Sequence, residues 1–289
     1  MNSIADALLA DLILRLADAA RPRVKALHLP PAPWNGGKDG EFAALELEDG
    51  SLGLSYVLLD DSLAALAGGG AAQALVGADA MDIATGWRDG HGAARTLGFA
   101  AINALSRHLF DKAGFAPPHA TDSIGGLDPQ PDEHIGMVGL FPPLVKQITA
   151  LGARLTVLEL RAELAGVHAG HNVTLDPAAL GTCDKVLATS TVLLNHTLDT
   201  VLAHCRRARR IVLVGPGAGC LPGALFGAGV TALAGTWILD GTGFKQALRT
   251  GAPWTQCARK FVLNATDWHA AGLPGQGLGA GIHYWLGLE

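Results

Sequence analysis

The sequence predicts an α/β protein in two parts, a smaller α+β unit followed by a unit built on a parallel sheet. Three patterns carry that expectation. Residues 134–160 run strand, tight turn, helix, strand. An apolar stretch at 135–140 leads into Phe141-Pro142-Pro143. Leu144, Val145, Ile148 and Leu151 then recur at helical spacing, Gly152 acts as a stop, and a second apolar run fills 156–160. Proline suits the first helical turn, where its missing N–H costs nothing, and a strand–helix–strand unit implies parallel pairing. Further apolar runs at 185–189, 210–214 and 230–233 extend the same sheet. Residues 45–58 instead alternate apolar and polar around Asp49-Gly50, the signature of an antiparallel hairpin with a type I′ turn.

The elements follow in order. An amphipathic helix is expected over 4–20, with Ile4, Leu8, Leu12 and Leu16 as its apolar stripe and Pro22 as its stop. Residues 24–29 read as a strand and 30–37 as a proline- and glycine-rich loop. The hairpin is expected to bury one face and wet the other. Residues 61–77 read as helical with a break at Gly68-Gly69-Gly70, which no strand precedes and which is therefore not a phosphate loop. A long helix over 92–110 carries Leu97, Ala101, Leu105 and Leu109 on its stripe. Asn103 falls about 160° from that stripe at roughly 100° per residue. It is either solvated or, since Phe99 and Ala100 share its side, packed against a partner. Prolines at 117, 118, 129 and 131 mark a boundary, giving units over 1–115 and 133–289 joined by 116–132. After the central unit a polar loop runs to Asp176, then short helices at 177–180, 195–205, 222–226 and 244–248 alternate with the strands. Residues 261–263 read as a last strand or part of a helix.

Composition excludes several classes. Of 289 residues, 49 % are apolar and 16 % charged, which suits a globular chain with a large core. A net charge of −5 gives no basic footprint, so nucleic acid is not an expected partner. Asp6 and Asp11 interrupt the first apolar residues, so neither a signal peptide nor a membrane span is expected. Cys183, Cys205, Cys220 and Cys257 form no C-x-x-C pair, which favours reduced thiols in a cytoplasmic protein.

Ligands of open parallel sheets bind at the carboxyl ends of the strands, which directs attention to four constellations. Gly139 ends one strand, and Glu159 ends the next, where a carboxylate can accept hydrogen bonds from ribose hydroxyls. The run G-M-V-G-L-F-P-P is not G-x-G-x-x-G, however, and Phe141-Pro142 would crowd a pyrophosphate. The plain alternative is a capped turn and a surface glutamate. Gly215-Pro216-Gly217-Ala218-Gly219 is either a backbone anion cradle or a tight turn. Thr189-Ser190-Thr191 with Asn195 and Thr197 either caps a helix or binds a carboxylate or oxyanion; without a G-x-S-x-G elbow, Ser190 is a poor nucleophile. His168, His171, Cys183 and His196 make a loose set of metal ligands.

These stretches carry a resemblance. Arg95 through Asn103-Ala104, Gly136 through Pro142-Pro143, Val157 through Leu160, Thr189-Ser190-Thr191 through Asn195-His196-Thr197-Leu198-Asp199, Val214-Gly215-Pro216 and Leu233-Ala234-Gly235 together resemble the heavy-metal chelation family. The resemblance implies an enolase-N-terminal-like domain followed by a Rossmann-like domain, with a ligand cleft between them. Gly217 stands where the family commonly has a hydroxyl residue, and His196 where it commonly has a small one.

Together these readings predict an interdomain ligand site for a small anionic or metal-chelating molecule, with a metal ion or metal chelate as its cofactor. Phe141 and Pro142 form one wall, and Gly139, Glu159, Ser190, Thr191, Asn195 and Thr197 supply contacts. Gly215 and Pro216 form the second turn, Arg95 and Asn103 close the site from the first unit, and His196 is a candidate metal ligand. The rival expectation is a transferase-type enzyme using a nucleotide-like or methyl-donor cofactor in the same cleft. A homodimer is expected from base rates alone.

Overall fold

The computed structural model describes residues 3–17, 21–33, 36, 41–68 and 70–270. The first unit opens with α1 (Ile4–Leu16), started by a capping box in which Ser3 and Asp6 satisfy each other's backbone N–H groups. Its stripe is buried as the spacing requires; the expected last turn at 18–20 lies outside the described residues. Three antiparallel strands follow in the order β1 (Val24–His28), β2 (Phe42–Leu47), β3 (Leu52–Tyr56). Helices α2 (Ser62–Ala67) and α3 (Ala71–Ala74) flank the predicted glycine break, and α4 (Ala80–Asp89) was not anticipated from the sequence. The long α5 (Gly92–Lys112) lies across the sheet. The approach is so close that a Cβ on Gly53 would stand 2.1 Å from the Ala104 backbone nitrogen, and α5 meets α4 as closely, a Cβ on Gly98 standing 2.1 Å from the Trp87 nitrogen.

The hairpin differs from expectation in two respects: its turn is not type I′, since Gly50 takes a positive φ of +89° and Asp49 does not, and every residue of β2 is buried, including Glu46. Its second face does not meet water. It meets α10 (Gly241–Thr250) of the second unit, where Ala44, Leu52 and Leu54 pack with Phe244, Leu248 and Trp254, and Lys245 donates to Glu46 at 2.8 Å.

The second unit is an eight-stranded sheet in the order β11-β10-β9-β8-β4-β5-β7-β6. Its strands are β4 (His134–Val138), β5 (Arg154–Leu158), β6 (Gly166–His168), β7 (His171–Thr174), β8 (Lys185–Thr189), β9 (Arg210–Val214), β10 (Ala232–Ile238) and β11 (Ala258–Asn264). All neighbours pair in parallel except β6 with β7 and β10 with β11. Residues 258–264 are thus a strand, and the expected polar loop holds a hairpin, β6–β7, too short and exposed to show a pattern. The connections include α6 (Pro142–Ala150), α7 (Thr191–Leu194), α8 (Leu198–His204) and α9 (Gly223–Gly227); α11 (Ala265–Ala270) follows β11. One helix was expected over 195–205. The chain instead breaks at Asn195-His196, where His196 adopts φ +57°, and resumes at Leu198.

Skipping the antiparallel edges, the order β7-β5-β4-β8-β9-β10 is that of a doubly wound sheet, 3-2-1-4-5-6 in order of parallel strands. The order reverses between β4 and β8, so a crevice opens there. The largest apolar cluster runs from α1, β2 and α5 through to β8, β9 and β10 without interruption. Polar contacts reinforce this seam. Trp87 of α4 donates from Nε1 to the Leu193 carbonyl of α7 at 2.9 Å. The Leu221 N–H donates to Ser106 at 2.9 Å, and Arg107 donates to the Ile238 carbonyl while lying 4.0 Å over the Trp237 ring. Among the described residues, no helix is long and apolar enough to cross a membrane.

Candidate functional site

A pocket of about 330 Å³ lies where the switch point predicts it. The ends of β4 (Val138, Gly139), β5 (Leu158, Glu159, Leu160) and β8 (Thr189) form its floor. Leu175 and Pro177 close one side; Thr191, Val192, Asn195, Thr197, Thr200 and Val201 close the other. Gly139 sits at φ +84°, and a Cβ there would come 3.1 Å from Thr189 Cγ2, so both backbone and space favour glycine.

Glu159 is held before any ligand arrives. The Leu140 N–H donates to its Oε2 at 3.1 Å and the Leu160 N–H to its Oε1 at 2.8 Å. Its nearest cation, Arg161, stands 4.0 Å away with a side chain 60 % exposed, so solvent screens that pair and it contributes little. Across the pocket, Asn195 Oδ1 accepts from the Thr197 N–H at 3.2 Å and the Thr197 hydroxyl at 2.7 Å. The Thr189 and Thr191 hydroxyls lie 3.0 Å apart. The expected helix cap is not made, since neither Ser190 before α7 nor Thr197 before α8 places a side-chain cap bond; the bonds run within the cluster instead, and Thr189, Thr191, Asn195 and Thr197 line the pocket.

The sequence-predicted residues divide. Gly139, Glu159, Thr191, Asn195 and Thr197 come together in this pocket. Asn103 and Pro216 line a separate crevice of about 20 Å³ between the units, with Leu52, Leu54, Arg107, Gly219, Thr236, Trp237 and Ile238. Asn103 is packed, not solvated: its Nδ2 donates to the Leu54 carbonyl at 2.7 Å and the Gly217 carbonyl at 3.1 Å, and its Oδ1 is buried without a partner among the described residues. The crevice has room for about one water. Arg95, Phe141, Pro142, Ser190, Gly215 and His196 line neither cavity. Arg95 donates to the Gly90 carbonyl, Phe141 caps α6 and Pro142 begins it. Ser190 is buried behind Gly215, where a Cβ would approach its Oγ to 2.4 Å. His196 packs against Trp87 with ring centroids 5.1 Å apart and planes tilted by 34°, and its Nε2 lies 2.8 Å from the Trp87 carbonyl, which a protonated Nε2 donates to. Sequence reasoning missed Thr200, which shares a helical face with Thr197. It also missed Leu175 and Pro177, which follow the unforeseen β7.

The donor set does not suit a metal held by protein alone. Among the described residues, no group of three or more His, Cys, Asp or Glu converges. Burial pushes the Cys183 and Cys220 thiols up to about 12 and that of Cys205 to about 11, which disfavours the thiolate that binds metals. His168 and His171 stack on each other across β6–β7 with centroids 5.0 Å apart.

Strand order and pocket position together define a doubly wound α/β protein with a cavity of small-molecule size at its switch point. Two family models, each described as "Putative heavy-metal chelation", match residues 41–106 and 123–266, and the chain belongs to that family. An uncharacterized protein from Methanocaldococcus jannaschii is 32 % identical over 146 residues, 50 % of this chain and 55 % of that one. The chain thus spans about half the length of the curated relative it matches. Two solved structures of proteins with unknown function share the fold. One, from Desulfitobacterium hafniense DCB-2, is 20 % identical with a TM-score of 0.66, covering 90 % of this chain and 98 % of that one. The other, from Pyrococcus horikoshii, is 19 % identical with a TM-score of 0.64, covering 90 % and 99 %.

Proposed function

We propose that this chain binds a small molecule in the pocket at the carboxyl ends of β4, β5 and β8, and that a heavy metal reaches it already held by that molecule. The observation that carries the reading is Glu159, the one ionisable residue among the described residues lining the pocket, tied through both oxygens to backbone N–H groups. A carboxylate fixed in this way sorts ligands by charge. An anionic group facing it meets a like charge, so the expectation of an anionic ligand narrows to one presenting hydroxyl, amine or cationic groups there. The threonine hydroxyls and Asn195 supply further polar contacts, and Leu158, Leu160 and Val201 supply an apolar wall. The family description supports a metal-chelating cargo, and the scattered protein donors support a metal held by the ligand's own atoms. The first unit, over 1–115, acts on this site by buttressing: Trp87 pins α7, which carries one pocket wall. The second reading, an enzyme using a nucleotide-like or methyl-donor cofactor in the same pocket, is favoured by the strand order and the place of Glu159.

Native mass spectrometry of the purified full chain, paired with metal analysis, tests the proposal. A retained small molecule is expected. Its occupancy should fall at least tenfold in Asn195→Ala and Glu159→Gln while both variants melt near the parent temperature. Metal without any organic mass, unaffected by either substitution, would overturn it.

A further inference from the structure

Resting on the pocket assignment above, we infer that the group seated on Glu159 is the 2′,3′-diol of a ribonucleoside, and that the site discriminates against the corresponding phosphates. The argument for the diol starts from lone pairs. A carboxylate has about four acceptor sites, two on each oxygen. Leu140 and Leu160 each fill one, on different oxygens. One site remains on each oxygen, enough to accept two adjacent hydroxyls. The carboxylate stands at the end of the second parallel strand, beside the switch point, where doubly wound folds place ribose. The volume of about 330 Å³ is at the lower end of the roughly 300–1,000 Å³ of small-molecule sites. It suits a nucleoside better than a dinucleotide.

The argument against phosphate comes from the β4–α6 turn. Dinucleotide-binding folds hold a pyrophosphate with free N–H groups at this helix N-terminus. Here α6 begins with Pro142 and Pro143, which have no N–H. The Leu144 N–H donates to the Phe141 carbonyl at 2.9 Å, the Gly139 N–H to the Leu158 carbonyl at 2.9 Å, and the Leu140 N–H to Glu159 itself. Among the described residues only the Phe141 N–H of this turn is left without an acceptor, so the turn offers a phosphate one donor, and the residue that takes another is the acid that would repel it. The same residues that spoil a nucleotide site leave a nucleoside site intact.

Isothermal titration of the full chain with adenosine, guanosine, cytidine and uridine tests this. At least one should bind. Its 2′-deoxy form and its 5′-monophosphate should each bind at least tenfold more weakly, and Glu159→Gln should lose most of the discrimination against the deoxy form while keeping its thermal melt. Binding by none of the four, equal binding of the deoxy form, or tighter binding of the monophosphate overturns the inference. Thr191→Trp, which fills the pocket, separates this failure from failure of the pocket assignment. A co-purified molecule that Thr191→Trp expels but no nucleoside displaces refutes the nucleoside alone. A co-purified molecule that survives Thr191→Trp refutes the pocket as well.

Discussion

Asn103→Ala gives the sharpest test of how the two units are joined. Asn103 donates to one carbonyl in each unit, Leu54 in β3 and Gly217 in the loop after β9, and is 3 % exposed. Alanine removes both bonds and leaves both carbonyls in a dry seam. A buried acceptor deprived of its donor costs about 1–3 kcal/mol. The unpaired Oδ1 departs with the side chain and offsets part of that cost, and a water entering the adjoining crevice offsets more. The net loss is then about 2–4 kcal/mol, a large share of the roughly 5–15 kcal/mol that holds a domain folded. At about 2–4 °C per kcal/mol for a chain approaching this size, the melting temperature should fall by roughly 5–15 °C. Calorimetric melts at neutral pH of the parent, Asn103→Ala and Asn103→Asp read this directly. The aspartate should fare worse, because an ionised carboxylate cannot donate and would face two carbonyls. If both variants melted within about 2 °C of the parent, the seam would not depend on Asn103 and the reasoning would fail. Its side chain would then be free to serve a ligand.

Two further outcomes follow from the first unit. Gly98→Ala and Gly53→Ala each drive a Cβ to 2.1 Å from a backbone nitrogen, and backbone cannot swing aside as a side chain can. Each should cost upwards of about 3 kcal/mol, read as a lowered urea midpoint or loss of soluble protein. Glu46 supplies a pH signature. Burial alone would raise its pKa, but hydrogen bonds from Lys245, His28 and Lys25 overcome that and hold it at about 2, below the ordinary 4.5. A carboxyl with a depressed folded pKa stabilises the fold above its unfolded value, and that contribution, on the order of 3 kcal/mol, is lost as pH falls from about 4.5 to about 2. Burial lowers the pKa of His28, so its contribution is likewise lost on acidification, beginning below its ordinary 6.5. Urea melts across this range should show Glu46→Gln with a shallower acid decline than the parent; parallel declines would refute the assignment.

Local chemistry made most of the second unit legible. The run 134–160 contains a double proline at a helix start, a left-handed glycine at its end and two short apolar runs. Each is a local constraint, and β4, α6 and β5 appear where those constraints put them. What could not be read depended on distant chain. Alternation in β2 implied a wet face, yet α10, some two hundred residues later, covers it and converts Glu46 into a buried anion. The helix break at His196 has no glycine or proline to announce it. It is held by Trp87, from a helix whose existence was itself not foreseen. Asn103 and Glu159 were both picked out as polar residues in telling places, but spacing could not show that one faces a seam and the other a pocket.

That division bears on what the first unit is for. Every described residue lining the larger pocket belongs to the second unit, so the described residues of the first contribute no surface to it. Beside the packing of β3 and α5 on α7, Trp87 reaches the site through two hydrogen bonds: its indole N–H donates to the Leu193 carbonyl of α7, and its own carbonyl meets His196. These bonds grip α7 from both sides of the break that presents Asn195 and Thr197. The left-handed backbone of His196 costs about 1–3 kcal/mol in isolation, and the hydrogen bond and tilted ring contact with Trp87 offset that cost. A shift of α4 across the seam would therefore reach Asn195 through Trp87, without the first unit lining the pocket. His196 then lies in the joint that sets the pocket wall.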